Sequence, residues 1–117
     1  MKVSELVNEL GLTVWAGGEG LSKEISGGYT SDLLSDVMGH AQAGQVWLTL
    51  QTHKNVMAIA SLKEMSAIVI VKGFKPEEGT ISQANTEGIP ILGTEMESFE
   101  ITGIIYALIK PVNVIQS

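Results

Sequence analysis

The segment SAIVIVKG, residues 66–73, sets the strongest limit on what this chain can fold into. Ala67 to Val71 are apolar without interruption, and four of the five are β-branched, which favours a strand over a helix. A strand that is apolar at every position needs cover on both faces, and a parallel sheet flanked by helices supplies it. The neighbouring segments keep the matching rhythm. QVWLTL (45–50) and IPILGT (89–94) read as two further strands, and helix-period segments separate the three.

Those segments are SDLLSDVMGHAQAG (31–44), NVMAIASLKEM (55–65), KPEEGTISQANTEG (75–88) and ESFEITGIIYALIK (97–110). In the first, Leu33, Leu34, Val37, Met38 and Ala41 make an inward stripe, with Ser31 or Asp32 as the cap. In the second, Val56, Ile59, Ala60 and Leu62 or Lys63 take that role, and Thr52 or Asn55 caps the start. The third begins at Pro76, turns Ile81 and Ala84 inward and ends at Gly88. The fourth carries Phe99, Ile101, Ile104, Ile105, Leu108 and Ile109, with Thr94 and Glu97 matching a T-x-x-E capping box.

Ahead of them, Val3, Leu6, Val7 and Leu10 follow helical spacing up to a Gly11 cap. Two short strands, near Leu12–Ala16 and Lys23–Ser26, complete the reading. The expected fold class is therefore α/β, a three-layer α/β/α arrangement with a mainly parallel central sheet. The whole chain, 1–117, reads as a single domain.

Composition excludes several function classes. A hydrophobic share of 44% allows a real core, but only six residues are aromatic, so Ile, Val, Leu, Ala and Met must fill it. The net charge of −6 repels phosphate backbones, and no basic cluster offsets it, so no nucleic-acid partner is expected. With no cysteine there is no disulfide, thiolate nucleophile or cysteine-ligated metal. Glu5 and Glu9 interrupt the N-terminus where a signal peptide needs an apolar run, and no stretch is long enough to span a bilayer. The expectation is a soluble, cytoplasmic protein without a membrane partner.

A parallel sheet places its strand-to-helix junctions on one edge, where ligands gather. Three junctions fall there: LQTHKN, VKGFKP and LGTEME. GGYTSD leads into a helix and is a fourth candidate. Free helix N-terminal amides favour anions, and Lys54, Lys72 and Lys75 place three of the seven basic residues at the same edge. His53 lacks a neighbouring nucleophile or second histidine in ligand spacing, so a catalytic or metal role is not expected. His40 reads as a helix-end residue. WAGGEG (15–20) lacks the pattern of a phosphate loop, so its glycines are assigned to a turn. Trp47 belongs to the core or an interface, and the acidic residues Asp32, Asp36 and Glu95–Glu100 to solvated helix faces.

SDLLSDVM (31–38), WLTLQTHKNVMAIA (47–60) and GIPILGTEMESFE (88–100) together resemble the DRTGG domain family, over about residues 27–106. The turns that name that family read QTHKN and VKGFKP here, the second keeping Gly73. The resemblance implies a fold similar to the N-terminal domain of HPr kinase/phosphorylase. In relatives such a domain accompanies CBS domains in regulated pyrophosphatases, and also occurs in some phosphotransacetylases, as a regulatory or dimerisation part. It implies no catalytic residues and no cofactor. The candidate ligand contacts are Gln51, Thr52, His53, Lys54, Asn55, Lys72, Gly73 and Lys75, with Thr94 at the third junction.

The functional expectation is a non-catalytic regulatory, ligand-binding and dimerisation module that senses a nucleotide or other phosphorylated small molecule. The apolar last helix and the tail PVNVIQS give a homodimer surface to cover. One alternative is a protein-binding scaffold without a small ligand. Another is a small enzyme acting on a phosphorylated metabolite, with His53 as general acid–base and Lys54 or Lys75 holding the anion.

Overall fold

The computed structural model of the protein describes residues 1–109. Helix α1 (Val3–Leu10) precedes strand β1 (Thr13–Ala16), a short 3-10 turn at Gly18–Gly20 and strand β2 (Gly27–Thr30). The alternation then runs α2 (Leu34–His40), β3 (Gln45–Thr49), α3 (Asn55–Leu62), β4 (Ala67–Ile70), α4 (Glu78–Glu87), β5 (Ile91–Gly93) and α5 (Ser98–Ile109). One five-stranded sheet has the order β1-β5-β4-β3-β2, with β2 to β5 mutually parallel and β1 antiparallel to β5. This is the expected α/β class.

Each parallel step moves one place along the sheet in the same direction. Right-handed crossovers therefore put α2, α3 and α4 on one face. Their side chains (Val37, Val56, Met57, Ala60, Ala84) pack on Trp47, Ile68, Ile70 and Ile91. The other face belongs to α1 and α5, whose Val3, Leu6, Ile101 and Ile105 cover Val46, Leu48, Val69 and Leu92. Alternate residues of β3 and β4 thus point into two separate cores, which is why Ala67 to Val71 carry no polar side chain. Trp47 is fully buried, and its indole N–H donates to the Ser31 carbonyl at 2.9 Å.

Gly11 and Gly88 end α1 and α4 in the left-handed conformation, as the sequence implied. Gly17 and Gly20 do form a turn. A side chain at either would collide with the backbone or ring of the segment Gly88–Pro90, which that turn lies against.

Several local expectations are corrected. Lys23–Ser26 contributes only an isolated bridge from Glu24 to Lys2, and the strand is the following Gly27–Thr30. The helix expected from Ser31 starts at Leu34, so Leu33 falls before the helical stripe and is 64% exposed. Met38 is also exposed, and so is Leu62, at 68%. Met65, just past the end of α3, is buried near that helix in its place. Of the apolar residues of α5, Phe99 (92%), Ile104 and Leu108 are exposed. Pro76 lies two residues before α4. The tail PVNVIQS lies outside the described residues.

Candidate functional site

Register places the junctions side by side. Thr49 is opposite Ile70, and Ile70 is opposite Gly93, so β3, β4 and β5 end along one edge. Thr30 is opposite Leu48, which brings GGYTSD to the same edge. The antiparallel β1 starts there too, with Thr13 opposite Gly93. Because β2 to β5 follow one another without reversal, the parallel strands have no switch-point crevice. A binding surface at this edge is built from its loops.

The first junction is a self-satisfied hydrogen-bond network. Asp32 does not cap α2. Its Oδ1 accepts from the buried Thr49 hydroxyl at 2.8 Å and from the Leu50 amide at 2.7 Å. The Gln51 side-chain amide donates back to the Asp32 carbonyl at 2.8 Å. The Thr52 carbonyl accepts from the buried Thr80 hydroxyl (2.7 Å) and from the Glu77 amide (3.1 Å), tying this loop to the start of α4.

His53 is exposed, and its Nδ1 accepts from the Asn55 amide at 3.1 Å. The Val56 and Met57 amides donate to the carbonyls of His53 and Lys54. The first amides of α3 thus already have acceptors within the loop. Neither Thr52 nor Asn55 supplies a side-chain cap; Lys54 stands at the N-cap without one, and His53 just before it accepts from the first amide of the helix. The Lys54 stem lies over Gly79, where an added Cβ would sit 3.7 Å from its Cδ.

The second and third junctions are stitched together. Val71–Phe74 is a tight turn in which the Phe74 amide donates to the Val71 carbonyl at 3.2 Å. Both central residues are left-handed, Lys72 at φ 60° and Gly73 at φ 72°, as a type I′ turn requires. The Lys72 amide donates to the Met96 carbonyl and the Gly73 amide to the Thr94 carbonyl, at 2.9 and 2.8 Å. Lys72 Nζ stands 3.8 Å from Glu97 Oε1, so this lysine already has a carboxylate beside it. Lys54 and Lys75 form no ion pair among the described residues. The Thr94 hydroxyl accepts from the Met96 amide at 3.2 Å. Since α5 begins at Ser98, Thr94 sits too early to form the expected capping box.

Between these two loops and β1 lies a cavity of about 400 Å³. Gly73, Phe74 and Lys75 form one wall, Thr94 and Glu95 another, and Thr13 and Trp15 the third. Of the nine candidate residues, Gly73, Lys75 and Thr94 line it, while Gln51–Asn55 and Lys72 do not. Trp15, Phe74 and Glu95 were missed because β1 had no readable position in the sheet. A visible signal was the Phe-Lys pair directly after the VKG turn. A second hollow of about 430 Å³ runs along β2 and α5, past Thr30, Gln45, Thr102 and Tyr106, with no charged residue in its lining among the described residues.

Outside the junctions, Tyr29 and Asp36 form the other polar contact of note, the phenol donating to Asp36 Oδ2 at 2.9 Å. The Ser31 and Tyr29 hydroxyls and nearby His40 hold the Asp36 carboxyl below its usual range. Partial burial and the same carboxylate push the Tyr29 phenol up. His40 closes α2 as expected, 3.3 Å from Asp36 Oδ1.

No protein-family model matches the chain, and no curated protein sequence does. Comparison with solved structures finds the CBS and DRTGG domains of the regulatory region of Clostridium perfringens pyrophosphatase, solved with its activator diadenosine tetraphosphate. The TM-score is 0.67 at 14% identity, over 89% of this chain and 45% of that one. The chain thus spans less than half the length of the structure it matches. At this identity the likeness concerns the fold: the chain has a DRTGG-like architecture.

Proposed function

We propose that residues 1–117 act as one non-catalytic regulatory module that binds a nucleotide or another phosphorylated small molecule at the carboxyl edge of its sheet. The observation that carries this reading is the cavity beside Lys75, walled by two strand-end loops and the start of β1. Its volume lies in the usual range of small-molecule sites, about 300–1,000 Å³. The structural neighbour is a regulatory region bound to a nucleotide activator, which favours the same ligand class here. His53 supports a non-catalytic role, since its Nδ1 is engaged by a backbone amide.

The module works in the cytoplasm as a homodimer. Among the described residues no helix is long and apolar enough to cross a membrane. Phe99, Ile104, Tyr106 and Leu108 leave α5 with an apolar outer face that a two-fold contact would cover. Ligand binding that favours one dimer arrangement would then alter the surface offered to a protein partner.

A thermal-shift screen with nucleotides and phosphorylated metabolites, run beside light scattering, tests both parts. A ligand that raises the melting temperature of a dimer supports the reading, because selective binding to the native state must stabilise it. A dimer indifferent to every compound would leave a protein-binding scaffold as the better account.

A further inference from the structure

We propose that the Trp15–Phe74 cavity is a nucleobase subsite that prefers a base carrying an exocyclic amino group; this rests on the nucleotide reading above. The chain has six aromatic residues, and two of them, distant in sequence, wall this one cavity. Phe74 is 49% exposed although it follows a rigid turn, so its ring is held at the surface and adds little to the core. Trp15 lies against Gly93, where any side chain would collide with the indole, and its buried ring N–H has no acceptor among the described residues. A buried donor without a partner is a cost that native folds rarely carry.

Two aromatic walls suit a flat heteroaromatic ring, because every base has a π-face to stack on. The polar groups are placed unequally around it. Glu95 lies against Gly73, its Oε1 2.7 Å from where a Cβ would stand, and it can only accept hydrogen bonds when ionised. It therefore matches the exocyclic amino group of adenine, cytosine or guanine, whereas uracil offers it only a ring N–H flanked by two carbonyl oxygens that a carboxylate repels. Its charge also repels phosphate, which leaves Lys75 at the same cavity to meet the phosphates. Ring, amino group and phosphate thus each meet a different residue.

The test is calorimetric titration with adenosine monophosphate, uridine monophosphate and inorganic tripolyphosphate, followed also by tryptophan fluorescence. Trp47 is sealed in the core, so a ligand-induced change reports on Trp15. Adenosine monophosphate is expected to bind more tightly than the uridine nucleotide. Phe74→Ala should weaken it about tenfold, the scale of one lost base–aromatic stack. Glu95→Gln should narrow the gap between the two nucleotides, while tripolyphosphate, relieved of the carboxylate's repulsion, should bind at least as tightly as before. Nucleotide binding that is indifferent to base, to Phe74→Ala and to Glu95→Gln would overturn the subsite and leave the regulatory reading standing. Absence of binding by all three probes would overturn the subsite, and the wider screen would then decide the regulatory reading separately.

Discussion

Replacing Asp32 by alanine removes the one carboxylate that ties the β2–α2 loop to the end of β3. Its Oδ1 accepts from the Thr49 hydroxyl and from the Leu50 amide, at 2.8 and 2.7 Å. Thr49 is 1% exposed, so its hydroxyl finds little water to replace the lost acceptor. Hydrogen bonds to a charged group contribute about 1.5–3 kcal/mol each. The Leu50 end is open to solvent and recovers most of its share. The net cost is therefore about 2 kcal/mol, weighted to the Thr49 side. For a domain of this size that is roughly 8 °C in melting temperature. Asp32→Asn keeps an acceptor without the charge and should lose about half as much. Urea unfolding measures both, read as a shift in midpoint at constant slope. An alanine variant within about 0.5 kcal/mol of the parent, the usual range for a surface change, would refute this account of the junction. Affinity at the Trp15 cavity should not change, because Asp32 does not line it.

Other expectations concern the same edge and its surroundings. Lys72→Asn should raise stability by about 0.5–1 kcal/mol, because asparagine tolerates a left-handed φ better than lysine and the exposed pair with Glu97 contributes little; a lower urea midpoint would contradict that conformation. His53→Ala should cost about 0.5–1 kcal/mol through the lost acceptor for the first amide of α3, a cap-like bond. Differential scanning calorimetry can check it, and an unchanged melting temperature would remove the capping role. Asp36 titrates low in the folded chain, so its contribution to stability is present above its ordinary value of 3.8 and is lost as pH falls through the lowered folded value. Tyr29 titrates high, so its contribution is present below 10.0 and is lost as pH rises through the raised one. Tyr29→Phe should therefore flatten the pH–stability profile at both ends, and equal profiles for parent and variant would sink the idea.

Local patterning alone was enough to recognise the buried strands 45–50, 66–71 and 89–93, the glycine stops at Gly11 and Gly88, and the place of Trp47 in the core. These are decided within a few residues by side-chain period and backbone freedom, and both are written into neighbouring letters. The extent of α2 escaped that reading because Leu33 fits a helical stripe that the backbone enters only after it. Leu62 escaped it because the inward place it was assigned is covered by Met65, beyond the end of α3. The polar residues of LQTHKN looked like a cap or a ligand wall. Their partners, Asp32 and Thr80, come from loops and helices that meet them only after folding. The cavity was least legible of all. It exists because β1 pairs with β5 across some eighty residues of sequence, which brings Trp15 beside Phe74 and Glu95. Non-local pairing of that kind is settled by which sheet edge remains open once the parallel strands have packed, and no local run of residues records it.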